Sequence, residues 1–296
     1  MADLPSLTPD QVAVLVPQAL HIEYIASGGQ KLVFRGTIDG TIYALKFSKL
    51  PASPVDDLDE FASSDIAIRA KREVETMREC TSPYVVKLGP LGLSFGSAAG
   101  QQLVFFSEEY IVGSDLKTHL RSNGRFAAPE VAKLGIQIGS AVKALWEFGK
   151  IHRDIKPANI MRRDSSGDYV LLDAGLAFDI DGESISVGPV GTPAYFSPEQ
   201  FEFTNRRTVL DFRSDMFSLG VTMYFLATAT HPFWSPGDTT PQTLYSKITS
   251  FHPLPPSSIV DGFPEALDEV IMRLLGKSPH LRFRTCDQLI TALQGV

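Results

Sequence analysis

The run Ile151-His152-Arg153-Asp154-Ile155-Lys156-Pro157-Ala158-Asn159-Ile160-Met161 gathers polar groups able to do chemistry between apolar neighbours. A carboxylate such as Asp154 can accept a proton from a hydroxyl. An amide five residues on, Asn159, can reach a metal ion carried on phosphates. Fourteen residues after Asn159, the segment Leu171-Leu172-Asp173-Ala174-Gly175 delivers a second carboxylate at the end of an apolar stretch, with a glycine that permits a turn behind it. Much earlier, Tyr43-Ala44-Leu45-Lys46 places an ammonium group at the end of an apolar run.

These segments resemble the catalytic loop H-R-D-x-x-x-x-N, the D-F-G motif and the V-A-I-K strand of eukaryotic-like (Hanks-type) serine/threonine protein kinases. Three more segments extend the resemblance. Gly191-Thr192-Pro193-Ala194-Tyr195-Phe196-Ser197-Pro198-Glu199 is similar to G-T-x-x-Y-x-A-P-E, with Ser197 in place of Ala. Asp215-Met216-Phe217-Ser218-Leu219-Gly220 is similar to D-x-W-S-x-G, with Phe217 in place of Trp. Glu109-Tyr110-Ile111-Val112-Gly113-Ser114-Asp115-Leu116 is similar to E-Y-x-x-G-G-x-L. A bare His-Arg-Asp triplet can arise by chance in a turn, but matching positions around it, followed in order by the next motifs over roughly residues 22–292, do not.

The resemblance implies a bilobal α+β fold, with a small β-rich lobe carrying one main helix and a larger, mostly helical lobe. It also implies ATP and Mg²⁺ as cofactors and protein Ser/Thr hydroxyls as acceptors, those of the chain itself included. The implied catalytic residues are Asp154, Lys156, Asn159, Lys46 and Glu73. Asp154 aligns the hydroxyl and takes its proton, and Lys156 stabilises charge on the transferred group. Lys46 contacts the α- and β-phosphates and is held by Glu73, with Glu75 as the runner-up. Asn159 and Asp173 are the implied Mg²⁺ ligands. The implied nucleotide contacts are Ala26, Ser27, Gly28, Val33, Ala44, Lys46, Glu109, Ile111, Asp115, Met161 and Asp173, with backbone groups of Glu109 and Ile111 on the adenine edge and Asp115 on the ribose. Arg282 is the implied partner of Glu199, and Asp215 braces the catalytic-loop backbone. Arg153 is expected to meet a phosphorylated residue at Ser184 or Ser186, or the acidic stretch 179–183 in its place; Gly188 falls where the usual phosphorylated residue would sit, and Thr192 lies closer to the substrate groove.

Three further departures from the family bear on the nucleotide site and its regulation. Ala174 stands where Phe normally packs between the lobes. Against G-x-G-x-x-G-x-V, the segment Ala26-Ser27-Gly28-Gly29-Gln30-Lys31-Leu32-Val33 keeps only Gly28 and Val33, and Lys31 either adds positive charge near the phosphates or faces solvent. Glu108 takes a position that is usually apolar, so its carboxylate needs a partner or a shifted pKa, unless the register is wrong. The eroded glycine loop and Ala174 leave a nucleotide-binding pseudokinase scaffold as an alternative, and a small-molecule kinase as another. Lys156 and the Gly191–Glu199 segment speak against the latter, because in the family they build a protein-substrate groove.

The elements that must position these groups are legible in the patterning. Residues 21–47 read as strand, glycine turn, strand, Asp39-Gly40 hairpin turn, strand. Residues 65–79 carry apolar positions at helical spacing, and 84–112 read as two strands around a turn at Gly96–Gly100. Beyond Gly113, a plausible hinge, the texture becomes helical at 129–149, 215–230, 265–276 and 285–294. The expected division is an extension over 1–20, holding a short helix or a strap, then a first lobe over 21–112 and a second over 113–296.

Composition narrows the function class. A net charge of −7 speaks against a nucleic-acid partner, which calls for a basic excess. Two distant cysteines, Cys80 and Cys286, suit buried thiols in a reducing cytoplasm better than a disulfide framework or a metal site. Residues 1–20 lack the basic start of a signal peptide. The most apolar run, Leu219–Ala229, is about half the ~20 residues that a membrane helix needs, which predicts a buried helix and no membrane span in this chain.

Overall fold

A computed structural model describes residues 4–28, 31–51, 64–173, 178–179, 191–202, 210–235, 237 and 240–296. Gly29, the acidic cluster within 52–63, Ala174, Gly175, Asp181, Glu183, Ser184, Ser186 and Gly188 lie outside the described residues. The chain divides into two compact units, Met1–Glu79 with Val86–Ile111, and Cys80–Val85 with Val112–Val296.

The first unit is built on a five-stranded antiparallel sheet of order β1-β2-β3-β5-β4. Its strands are β1 (Leu20–Gly28), β2 (Lys31–Ile38), β3 (Thr41–Lys49), β4 (Ser94–Ala98) and β5 (Gln101–Glu109). The Asp39-Gly40 pair closes the β2–β3 hairpin with φ of 50° and 78°. Positive φ at both central residues is what a two-residue turn of the right twist requires, and Asp and Gly tolerate it best. Burial along β2 alternates strictly, so each face of the sheet has its own composition.

One face carries Leu32 and Phe34 from β2, Leu45 and Phe47 from β3, and Leu103 and Phe105 from β5. Phe47 stacks on Phe105 at 5.1 Å and meets Phe34 edge-on at 5.9 Å. Helix α1 (Pro9–Leu15) covers this face with Val12, and Val16 just beyond the helix joins it there. Thr8 and Gln11 form a reciprocal capping box at the start of the helix. The extension expected over 1–20 thus contains a capped helix that completes the core of this unit. The other face carries Lys31, Val33, Ala44, Lys46, Phe106 and Glu108, placed together by the pairings Val33↔Lys46, Lys46↔Phe106 and Ala44↔Glu108. Helix α2 (Asp65–Glu79) contributes Glu73 to that side. The turn between β4 and β5 is narrower than Gly96–Gly100: it sits at Ala99-Gly100, and Gly96 lies inside β4, where an added Cβ would come within 2.9 Å of Leu15.

The second unit is mostly helical. Its short strands are β6 (Gly113–Asp115), β7 (Lys150–Ile151), β8 (Ile160–Arg163), β9 (Tyr169–Leu171) and β10 (Phe178–Asp179). The helices are α3 (Leu116–Asn123), α4 (Ala128–Glu147), α5 (Pro198–Glu202), α6 (Phe212–Thr228), α7 (Pro241–Ser250), α8 (Glu265–Leu274) and α9 (Cys286–Gln294). The stripe Val131, Leu134, Ile138, Val142 and Leu145 of α4 is fully buried, as its 3.6-residue period predicts. Helix α6 is buried on nearly every side, which accounts for the apolar run at Leu219–Ala229. Among the described residues no helix is long and apolar enough to cross a membrane. Both cysteines are buried free thiols, and burial pushes Cys286 up to about 12. Helices α3, α5 and α7 are absent from the sequence reading. They are short, and α3 and α7 begin at local caps, Asp115 on Thr118 N and Thr240 on Thr243 N, rather than at an apolar periodicity.

Candidate active site

In the second unit the catalytic-loop residues are held from beneath by α6. Asp215, in its first turn, accepts backbone hydrogen bonds from His152 N at 2.7 Å and Arg153 N at 2.8 Å. Burial pushes the Asp215 carboxyl up, opposed by the nearby His152 ring and by these two N–H groups. Arg153 can then take a φ of 69°, an unusual left-handed value for a residue of its type. Gln200 of α5 ties down its carbonyl at 3.1 Å.

His152 fixes the loop from the other side. Its Nε2 lies 2.9 Å from Leu172 O, and its Nδ1 accepts from Asp154 N at 3.3 Å. The β8–β9 hairpin pairs Ile160 with Leu171, and Leu172 N donates to Asn159 O at 2.8 Å. Asn159 and Asp173 are thereby brought to the same end of one hairpin. Asp173 itself has a φ of 61°, a conformation that Asp tolerates better than most residues.

The Asp154 carboxylate sits at the centre. Its Oδ2 accepts from Lys156 Nζ at 2.6 Å and from Asn159 Nδ2 at 2.9 Å, and its Oδ1 accepts from Thr192 N at 2.9 Å. Asn159 Nδ2 also donates to Asp154 O at 3.0 Å, so both hydrogens of this amide point at Asp154 and its oxygen is turned elsewhere. Lys156 Nζ donates onward to Thr192 Oγ1 at 2.5 Å. The approach of Thr192 depends on Gly191, with φ of 127°, where a Cβ would lie 2.7 Å from Phe196 and 3.1 Å from Arg153 O.

The segment ending at Glu199 is anchored by a buried ion pair. Arg282 Nη1 and Nη2 meet the two Glu199 oxygens at 2.5 and 2.9 Å. Ser214 Oγ donates to Glu199 at 2.8 Å, and Arg282 also reaches the carbonyls of Arg213 and Gly276. Burial alone would push Glu199 up, but the bonds and charge of Arg282 hold it below the usual carboxylate range.

In the first unit Lys46 and Glu73 form a buried pair at 3.1 Å. Glu75 is half-buried and lies beside Lys71 at 3.9 Å. Two contacts were not foreseen. Glu108 Oε2 lies 2.9 Å from Lys46 Nζ, so the carboxylate at the usually apolar position has found a cation. Lys31 is directed neither away into solvent nor to an open site: its Nζ donates to the second oxygen of Glu73 at 2.5 Å. The Lys46–Glu108 pair follows from the strand pairings Ala44↔Glu108 and Lys46↔Phe106, whereas the Lys31–Glu73 pair depends on where α2 lies.

The remaining predicted contacts are dispersed over known elements. Ala26, Ser27 and Gly28 lie at the end of β1 and are exposed. Val33 and Ala44 share the Lys46 face of the sheet. Glu109 N donates to Lys87 O at 2.8 Å, so this N–H is engaged within the first unit. Ile111 is buried at the end of the first unit. Asp115 uses both oxygens to cap α3, on Thr118 N at 2.9 Å and Thr118 Oγ1 at 2.6 Å, and any ribose contact has to use its remaining lone pairs. Met161 pairs with Asp115 across β6 and β8.

The protein kinase domain family matches residues 21–292. Among curated proteins, a probable serine/threonine-protein kinase of Clostridium perfringens is 30% identical over 241 residues, covering 80% of this chain and 33% of its own. The serine/threonine-protein kinase PknE of Mycobacterium bovis is 32% identical over 231 residues, covering 77% of this chain and 38% of its own. A probable serine/threonine-protein kinase PknB of Bifidobacterium longum is 29% identical over 240 residues, covering 78% and 34%. The chain thus spans about a third of the length of these relatives. With the family matched over nearly the whole sequence and the catalytic-loop geometry intact, the chain belongs to the protein kinase domain family.

Proposed function

We propose that this chain transfers the γ-phosphoryl group of ATP to Ser and Thr hydroxyls of proteins, its own included, with Mg²⁺ as cofactor. The observation that carries the reading is the Asp154 carboxylate. It is 8% exposed and held by Lys156, Asn159 and Thr192, a pre-oriented acceptor for a hydroxyl proton.

The residues present fit the cofactors. The Asn159 side-chain oxygen and the Asp173 carboxylate are hard oxygen donors on one hairpin end, and a site of this kind suits a Mg²⁺ that also takes phosphate oxygens. When bound, the ion neutralises charge on the phosphates. Lys46, fixed by Glu73, is the phosphate-binding cation of the first unit. Lys156 is placed to stabilise charge on the group in transfer. Asp154 positions the acceptor hydroxyl and receives its proton.

Retention of Lys46, Asp154, Asn159 and Asp173 favours transfer over a nucleotide-binding scaffold. The contact of Lys156 with Thr192, within the segment that precedes Glu199, favours a protein acceptor over a metabolite. Phosphoamino-acid analysis of a generic basic protein incubated with the chain, labelled ATP and Mg²⁺ tests the reading. Phosphoserine or phosphothreonine is the expected product. Bound ATP with no labelled acceptor, or label found only on a small molecule, would overturn it.

A further inference from the structure

Among the described residues, the side of the sheet that carries Lys46 and Glu73 also carries a second lysine, Lys31. Glu73 is 1% exposed and holds a lysine on each oxygen, Lys46 on Oε1 at 3.1 Å and Lys31 on Oε2 at 2.5 Å. Both ammonium groups lie about equally far from the Phe106 ring, at 5.9 Å for Lys31 and 6.0 Å for Lys46. Two cations on one buried carboxylate leave an excess positive charge, which a low-dielectric site disfavours strongly. Glu108, 2.9 Å from Lys46, is the carboxylate that offsets it.

The two lysines are not equivalent. Lys46 lies on a central strand between β2 and β5, is 6% exposed, and is gripped by carboxylates on both sides. Lys31 is the first residue of β2, paired with Gly28 of β1, and its side chain is 23% exposed. If Lys31 swings away, Glu73 keeps Lys46. A lysine that only neutralised Glu73 would duplicate what Lys46 already does, and would require a second buried carboxylate to balance it.

We propose that Lys31 is a second phosphate-binding lysine of the nucleotide site, leaving Glu73 for the phosphates when a nucleotide binds, while Glu73 and Glu108 hold Lys46 in place. The inference rests on the reading of the chain as an ATP-dependent kinase. It gives the start of β2 a side-chain cation for the phosphates beside Lys46 of β3.

Calorimetric titration of the full chain with MgATP, MgADP and adenosine tests this, using the unmodified protein, Lys31→Met, Lys31→Gln and Lys31→Arg. Lys31→Met and Lys31→Gln are expected to weaken MgATP and MgADP binding by about 10-fold or more, the usual scale for one charge-assisted contact, and to leave adenosine within about twofold. Lys31→Arg should recover most of the loss, and the KM for ATP should rise more than kcat falls. Equal weakening of MgATP and adenosine, no change in either, or unfolding of both the Met and Gln variants would make Lys31 a structural brace and overturn the proposal. Unchanged nucleotide binding in a variant of a chain that still phosphorylates protein would sink only the Lys31 assignment. A folded, unmodified chain that binds no MgATP would sink the kinase reading with it.

Discussion

Glu108 Oε2 lies 2.9 Å from Lys46 Nζ, and the two side chains are 5% and 6% exposed. The position follows from strand register, since Ala44↔Glu108 and Lys46↔Phe106 put both residues on the same face of neighbouring strands. A charge pair so deeply buried is costly to break from one side and cheap to remove whole. We expect Glu108→Leu to destabilise the chain by about 1–3 kcal/mol, because Lys31 and Lys46 then share one carboxylate. Lys46→Met should cost a similar amount, and Lys46→Met with Glu108→Leu should cost much less than the sum. Urea unfolding of the four proteins gives the cycle; additivity within about 0.5 kcal/mol would show that the pair is not coupled.

The Arg282–Glu199 pair makes a sharper claim in the second unit. Arg282 is 1% exposed and Glu199 is 5% exposed, and the fork closes on both carboxylate oxygens. Arg282→Met leaves a buried carboxylate without its counter-charge, so a loss of about 3–5 kcal/mol is expected. Adding Glu199→Met should return a large part of it. A thermal melt in which the double variant is no more stable than Arg282→Met would contradict this.

His231 predicts a pH effect. Its Nδ1 accepts from Phe233 N at 3.2 Å and Trp234 N at 3.0 Å, which requires the neutral ring, and burial lowers its pKa from 6.5 to about 4. The unfolded chain therefore binds a proton between those values that the folded chain refuses. Stability from this group is complete above about pH 6.5 and is lost as pH falls toward 4, by roughly 3 kcal/mol in all. Comparing the pH dependence of unfolding with that of His231→Asn isolates the effect. Parallel curves between pH 4 and 6.5 would remove it.

Asp215 links fold to chemistry without touching a reacting atom. It holds the backbone on which Asp154 is carried, through His152 N and Arg153 N. Asp215→Asn keeps at most part of that grip, because the amide has one acceptor oxygen where the carboxylate has two. Phosphoryl transfer is expected to fall by about 10²-fold, the cost of misplacing a positioned group, with MgATP affinity within about threefold. An equal loss of both would point to unfolding rather than to loop misalignment.

Much of this was readable in order along the chain, for physical reasons that differ from element to element. The Asp39-Gly40 hairpin was legible because only a few residues accept positive φ at both turn positions. Helices α2, α4 and α6 were legible from their period and apolar content; α2 keeps its expected ends, while those of α4 and α6 moved by one to three residues, as with the Asp211 cap ahead of Phe212. The bracing of the catalytic loop by Asp215 and the pairing of Arg282 with Glu199 came from motif resemblance, and spacing alone would not have linked positions 83 residues apart. What stayed hidden was charge pairing across strands. Whether Lys31 faces Glu73 depends on the register of β2 against β3 and on where α2 lies, and no local pattern encodes either. The half-exposed helices α3 and α7 were missed because a cap and one or two turns carry too little periodicity to be seen.

The most direct test is transfer of labelled phosphate from ATP with Mg²⁺ to protein, measured beside Asp154→Asn. The amide is nearly isosteric with the carboxylate and cannot take the hydroxyl proton. The account predicts label on Ser or Thr with the unmodified chain, and a loss of at least about 10²-fold in the variant while MgATP still binds. Transfer that survives Asp154→Asn undiminished would contradict the central role assigned to Asp154.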